Sequence, residues 1–180
     1  MQLDEAALDE YTDDFQHDAF RYETLTTYAV ASDGDDFARY LNGEPAPSPD
    51  VISPWGNWVR AQRGRGATVR RVRVLHEKPS DYLRFELEWI YPANEAAGED
   101  IRVLDLTDQR RPDGVLDIEF WLLDGDRAAL MTYDERGRFV YADTVDGDDI
   151  GPVRRAASLA WQAASPLRVW WARHPEYHRG

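Results

Sequence analysis

The sequence predicts a single α+β domain with a mixed β-sheet, one crossover plus an antiparallel meander, flanked by helices. Three stretches carry that expectation. Residues 67–91, ATVRRVRVLHEKPSDYLRFELEWIY, open with β-branched residues at period two, as a strand does. Residues 115–142 read as three strands joined by turns at Asp124-Gly125 and Glu135-Arg136-Gly137. Gly151–Arg173 sets Val153, Ala156, Ala157, Ala160, Trp161 and Ala164 along one helical stripe.

At 180 residues, 43% of them hydrophobic and seven of them Trp, the chain has material for one sizeable core. The expected division is an acidic N-terminal arm over residues 1–50, docked on a main α+β domain over 51–180. Residues 1–14 read as a frayed arm or short helix. The segment from Phe15 to Val30 turns β-prone in its later half. Asp33-Gly34-Asp35-Asp36 offers caps for a short helix through Phe37, Tyr40 and Leu41, stopped by Asn42-Gly43. The connector 44–50, EPAPSPD, has prolines at alternate positions and favours an extended backbone.

In the main domain, Pro54–Gln62 carries Trp55, Trp58 and Val59 at helical spacing, and Arg63-Gly64-Arg65-Gly66 ends that helix. Val72 and Val74 then share one strand face, with Arg71, Arg73 and Leu75 on the other. Residues 81–91 are ambiguous. Leu83, Phe85, Leu87 and Trp89 alternate as in a strand, whereas Ser80 or Asp81 can cap a helix. A parallel strand at Ile101–Leu106 would need a crossover, which favours helix for 81–91. Pro92 disfavours helix at Tyr91. Residues 143–149, DTVDGDD, read as an acidic loop, and Ser165-Pro166 as the start of a last short helix. The expected core comprises Phe20, Trp58, Val72, Val74, Phe85, Ile118, Phe120, Leu122, Met131 and Trp161.

The net charge of −13 is unevenly spread: residues 1–50 hold −11, 51–78 hold +6, 79–153 hold −12 and 154–180 hold +4. An acidic chain of this kind is unsuited to broad nucleic-acid binding, so no direct nucleic-acid partner is expected. No apolar run approaches the roughly 18 residues of a membrane span. The acidic MQLDEAALDE lacks the features of a signal peptide, which makes the cytoplasm the expected compartment. There is no Cys, hence neither disulfide nor thiol chemistry. No cofactor and no metal is expected.

Candidate chemistry is sparse, and no catalytic set assembles. His76-Glu77-Lys78 has the H-x-K spacing of phospholipase-D-type phosphodiesterases, but the Asp that follows in that motif is Leu83 here, and no second copy exists. The plainer account is a strand-end His beside a solvated ion pair. His174 and His178 stand four apart around Glu176, yet Pro175 disfavours the helix that metal binding would need, and a disordered end accounts for them. Asp143, Asp146, Asp148 and Asp149 lack the spacing of a Ca²⁺ loop. Arg60, Arg63, Arg65, Arg70, Arg71 and Arg73 form a candidate anion-binding island, with ion pairing inside the protein as the competing account. Asp81, Arg84, Glu86, Glu99 and Asp100 form a candidate polar site, with a structural ion-pair network as its counterpart.

The runs AFRYETLTTYAV, RVRVLHEKPSDYLRFELEW, AAGEDIRVLDL and DIEFWLLDGDRAALMTYDERGRF resemble a family of actinobacterial proteins of unknown function, with SDYLRFE and AGED as the specific motifs. The resemblance implies a setting beside helix-turn-helix regulators and supplies no catalytic residue. The element order is also similar to a non-catalytic phospholipase-D-like half domain, a likeness of topology alone. The leading expectation is a non-enzymatic regulatory protein that binds a helix-turn-helix regulator through its acidic N-terminal section, with Tyr11 and Phe15 as exposed anchors. The alternatives are a phosphodiesterase or nuclease using His76 and Lys78, and an anion or nucleotide sensor using the arginine island.

Overall fold

In this computed structural model, which describes residues 1–28, 35–48, 51–107 and 109–179, the strands are β1 (Gln2–Leu3), β2 (Asp18–Glu23), β3 (Thr68–Leu75), β4 (Asp100–Asp105), β5 (Glu119–Leu123), β6 (Arg127–Tyr133), β7 (Phe139–Asp146) and β8 (Ser165–Pro166). The helices are α1 (Glu5–Asp13), α2 (Asp36–Leu41), α3 (Pro54–Gly64), α4 (Asp81–Phe85), α5 (Tyr91–Ala97), α6 (Gly151–Ala163) and α7 (Leu167–Arg173). One eight-stranded sheet runs in the order β1-β7-β6-β5-β2-β3-β4-β8. β2, β3 and β4 are parallel, and all other pairings are antiparallel. This is the single α+β domain with crossover and meander that the sequence predicts.

Local chemistry sets the helix starts. Asp4 accepts from Ala7 N at 2.9 Å, Ser53 from Gly56 N at 3.0 Å, and Ser80 from Leu83 N at 3.2 Å, each satisfying a first-turn donor. The hairpin between β5 and β6 places both Asp124 and Gly125 at positive φ. Asp124 then accepts from the backbone N–H of Gln16, His17 and Asp18 at 2.6–2.9 Å, tying the entry of β2 to the meander. Those three donors hold the Asp124 carboxyl below its ordinary value against the effect of burial.

Both faces of the central strands are covered. On one, Phe20, Tyr22, Val72, Val74, Phe120 and Leu122 pack under Val153, Ala156, Ala157 and Ala160 of α6. The opposite face meets α1, α3, the 81–97 helical segment and α7. Of the expected core, Phe20, Val72, Val74, Phe85, Phe120, Leu122 and Met131 are buried, while Trp58, Ile118 and Trp161 are half-buried.

Several expectations need revision. Part of the section expected as an arm is body, because β2 hydrogen-bonds to β3 on one side and to β5 on the other. Residues 81–91 are helical as the crossover requires, but the helix runs on through Pro92 to Ala97 where a break was expected, and Glu86–Ile90 form a π-helical turn within it. That wider turn carries the helix past Pro92, whose ring would press on the carbonyl four residues back in a regular α-helix. The acidic loop expected at 143–149 is half strand: Asp143–Asp146 complete β7, where Thr144 and Val145 favour extended backbone. Ser165-Pro166 pairs with β4 and leads directly into the expected short helix α7, which starts one residue later, at Leu167, with Pro166 as its N-cap. The caps expected at Asp33 and Gly34, and the connector at 49–50, lie outside the described residues.

Candidate functional site

Strand alternation sends Arg21 and Glu23 of β2, Arg71 and Arg73 of β3, and Glu119 of β5 to the same sheet face. Helices then close over them. The result is a buried charge cluster of Arg21, Arg71, Arg73, Glu23, Glu86, Glu99 and Glu119, each at most 8% exposed. Three guanidinium groups face four carboxylates.

Glu23 is the hub. Its Oε1 lies 2.7 Å from Arg71 Nη1 and its Oε2 3.1 Å from Arg73 Nη2. Burial alone would favour the neutral acid, but Arg71, Arg73 and Arg21 hold this carboxyl well below the usual carboxylate range. Arg71 Nε reaches Glu99 Oε1 at 2.7 Å, and Glu99 accepts a second bond from Trp55 Nε1 at 2.8 Å. Arg73 is fully buried and donates to Glu86 at 2.7 Å, to the Tyr91 hydroxyl at 2.7 Å and to the Leu25 carbonyl at 3.0 Å. Burial raises the hydroxyls of Tyr28 and Tyr91 well above the ordinary tyrosine value, so both serve as neutral donors. Glu119 accepts from Thr24 N at 2.7 Å, Leu25 N at 2.8 Å and the Tyr28 hydroxyl, anchoring the chain after β2.

Of the arginine island, Arg71 and Arg73 therefore belong to this cluster. Arg70 forms a bidentate pair with Asp18 at 2.6 and 2.8 Å. Arg65 donates to the carbonyls of Phe15 and Gln16 at 2.8 and 2.7 Å and covers the Phe15 ring. Arg60 and Arg63 are exposed. The polar candidates separate too. Glu86 and Glu99 join the cluster, whereas Asp81 pairs loosely with Arg84 at 3.6 Å on the surface and Asp100 is exposed at the start of β4. Arg21, Glu23, Glu119, Tyr28 and Tyr91 escaped the sequence reading. The signal was there: DAFRYE, TVRRVRVL and DIEFW each place charge at alternate positions between large apolar residues.

The carboxyl ends of β3 and β4 hold two further histidine sites. His76 Nε2 stands 3.8 Å from Asp117 Oδ1, which Arg111 also engages, and both His76 and Lys78 are exposed. Asp105, Thr107, Gln109, Trp170 and His174 line an open hollow of about 230 Å³. There Asp105 accepts from Thr107 N at 3.0 Å and from Trp170 Nε1 at 2.8 Å. The C-terminal segment, expected as disordered, is docked. His174 stacks on Trp170 at 4.2 Å and His178 on Trp171 at 4.3 Å. Arg84 donates to the Tyr177 carbonyl at 2.9 Å. Among the described residues no group of three His, Asp or Glu is placed to hold a metal ion, and no helix is long and apolar enough to cross a membrane.

A family described as a domain of unknown function (DUF6879) matches residues 6–172. The chain belongs to this family. The DUF6879 match takes in every member of the buried cluster, from Arg21 to Glu119, and ends before the docked segment at His174–Arg179. No curated protein matches the chain.

Proposed function

We propose that this chain is a non-enzymatic regulatory protein that binds a helix-turn-helix transcription regulator in the cytoplasm. One observation carries the reading. Glu5, Asp9 and Asp13 stand four residues apart on α1, all exposed, and make a file of carboxylates along one side of the helix. Burial and then the charges of Glu5 and Asp13 push the Asp9 carboxyl upward. Like charges at this spacing cost an isolated helix roughly 0.2–0.5 kcal/mol per pair, a cost that a cationic partner would offset. Asp126 and Asp146 lie near enough to act on the neighbouring Tyr11 hydroxyl, extending the acidic face beyond the helix.

The DNA-binding surface of a regulator is cationic because it must meet phosphates, so it suits this face in sign. The family resemblance noted from the sequence, with its setting beside such regulators, supports the same partner. Phe15 cannot serve as the exposed anchor expected of it, being buried against Trp58 at 5.9 Å. Tyr11 is half-buried, with Arg127 at 4.6 Å over its ring.

The test is co-purification with the regulator encoded nearby, followed by calorimetry at rising salt. The complex is expected at low salt, weakening as salt rises and weakening further in a Glu5→Gln, Asp9→Asn, Asp13→Asn triple variant. No complex at low salt, or affinity unchanged in the triple variant, overturns the reading.

A further inference from the structure

Arg179 is held in the manner of a bound ligand. Its guanidinium lies 4.1 Å from the Tyr40 ring centroid and 5.0 Å from that of Trp89. Nη1 donates to the Tyr40 carbonyl at 2.8 Å, and Nε sits 3.5 Å from Glu88 Oε1. The receiving groups are built in. Tyr40 is 3% exposed and Trp89 6% exposed, and the Tyr40 hydroxyl donates to Glu88 Oε2 at 2.9 Å, which orients the carboxylate. Glu88 and Trp89 both belong to the π-helical turn, an irregularity often found at functional positions. Beside Arg179 opens a hollow of about 300 Å³, lined also by Gly43, Glu44, Pro45 and Glu88.

Two aromatic faces, a carboxylate and a carbonyl acceptor suit a planar guanidinium better than a compact, strongly hydrated ammonium. We propose that Tyr40, Trp89 and Glu88 form a binding site for an arginine side chain presented by a partner, and that Arg179 occupies it as an internal competitor. As a docking point for a basic regulator the site rests on the reading above; as a guanidinium site it stands on its own geometry. The hollow supplies the approach by which an incoming arginine displaces Arg179. An internal occupant also sets a threshold: the apparent affinity for an outside arginine falls by the fraction of time the site is free.

The probe is Nα-acetyl-L-arginine methylamide, titrated into the full chain and into Arg179→Ala, with binding read from the Trp89 indole resonance. Arg179→Gln is carried in parallel and decides by the same criteria if Arg179→Ala fails to fold. Binding to the variants is expected to be about tenfold tighter than to the parent, as for a site free a tenth of the time. The lysine analogue should bind more weakly, and adding Glu88→Gln to Arg179→Ala should abolish the gain. Equal binding by parent and variants, or none by the variants, overturns the proposal. A failed titration alongside intact regulator capture removes this site and leaves the acidic-helix reading standing. Arginine binding without regulator capture supports the site and removes that reading.

Discussion

Arg73 Nη2 and Glu86 Oε2 meet at 2.7 Å and join strand β3 to the first residue of the π-helical turn. The pair closes the charge cluster from the helix side. Arg73→Met would leave Glu23 and Glu86 without this donor inside the protein, and breaking a buried pair costs roughly 3–5 kcal/mol. Urea unfolding should show a loss of that size. A loss under about 1 kcal/mol would mean that water reaches the cluster.

Stability is expected to fall in acid. Glu23 has an ordinary value of 4.5, and the arginines hold its folded value lower against burial. Its contribution is therefore complete above the unfolded value and is lost as the pH drops through the folded one. Asp124 and Asp105 act in the same sense from 3.8. The urea midpoint should stay level between about pH 7 and 5 and decline steeply below about 4.5. A decline beginning near pH 7 would show that these carboxylates do not set the dependence.

Gly137 and Gly125 offer a matched comparison. Both take positive φ, +73° and +74°, but a Cβ on Gly137 would lie 2.5 Å from the Thr27 carbonyl oxygen, whereas one on Gly125 meets nothing within 4 Å. Gly125→Ala should cost about 1–2 kcal/mol from backbone strain alone. Gly137→Ala should cost more, because it must also displace the segment that Glu119 anchors. Thermal unfolding of the two variants side by side measures the difference, and equal losses would show that the segment yields freely.

Asp9→Asn should move stability and binding in opposite directions. It removes both like-charge contacts on α1, a gain of about 0.4–1 kcal/mol. The same change should weaken capture of a basic partner. A variant that is both more stable and equally competent would show that the charge file serves no partner.

The strands were legible because their periodicity is local: Val72 and Val74 against Arg71 and Arg73 already assigns two faces. What those faces meet was not legible. Arg71 finds Glu23 48 residues away and Glu99 28 away, partners chosen by the parallel pairing of β2, β3 and β4 and absent from any short window. The alternation in LRFELEW suggested a strand because this helix is enclosed on almost every side: Leu83, Phe85, Glu86, Leu87, Trp89 and Tyr91 are all buried. The docked C-terminal segment left a faint trace in the four-residue spacing of His174 and His178, which reads as metal spacing until their stacking on Trp170 and Trp171 is seen.

The position of β2 bears on how the chain is made. The strand is synthesised well before its neighbour β5, which ends at Leu123, roughly a hundred residues later. At ordinary translation speeds of about 5–20 residues per second, β2 waits roughly 5–20 s on the ribosome before its second edge is covered. β3 arrives about midway and brings the arginines that Glu23 needs. Arg21 and Glu23 place charge on the inward face of this strand, and inward-facing charge of this kind deters pairing of an uncovered strand with its neighbours.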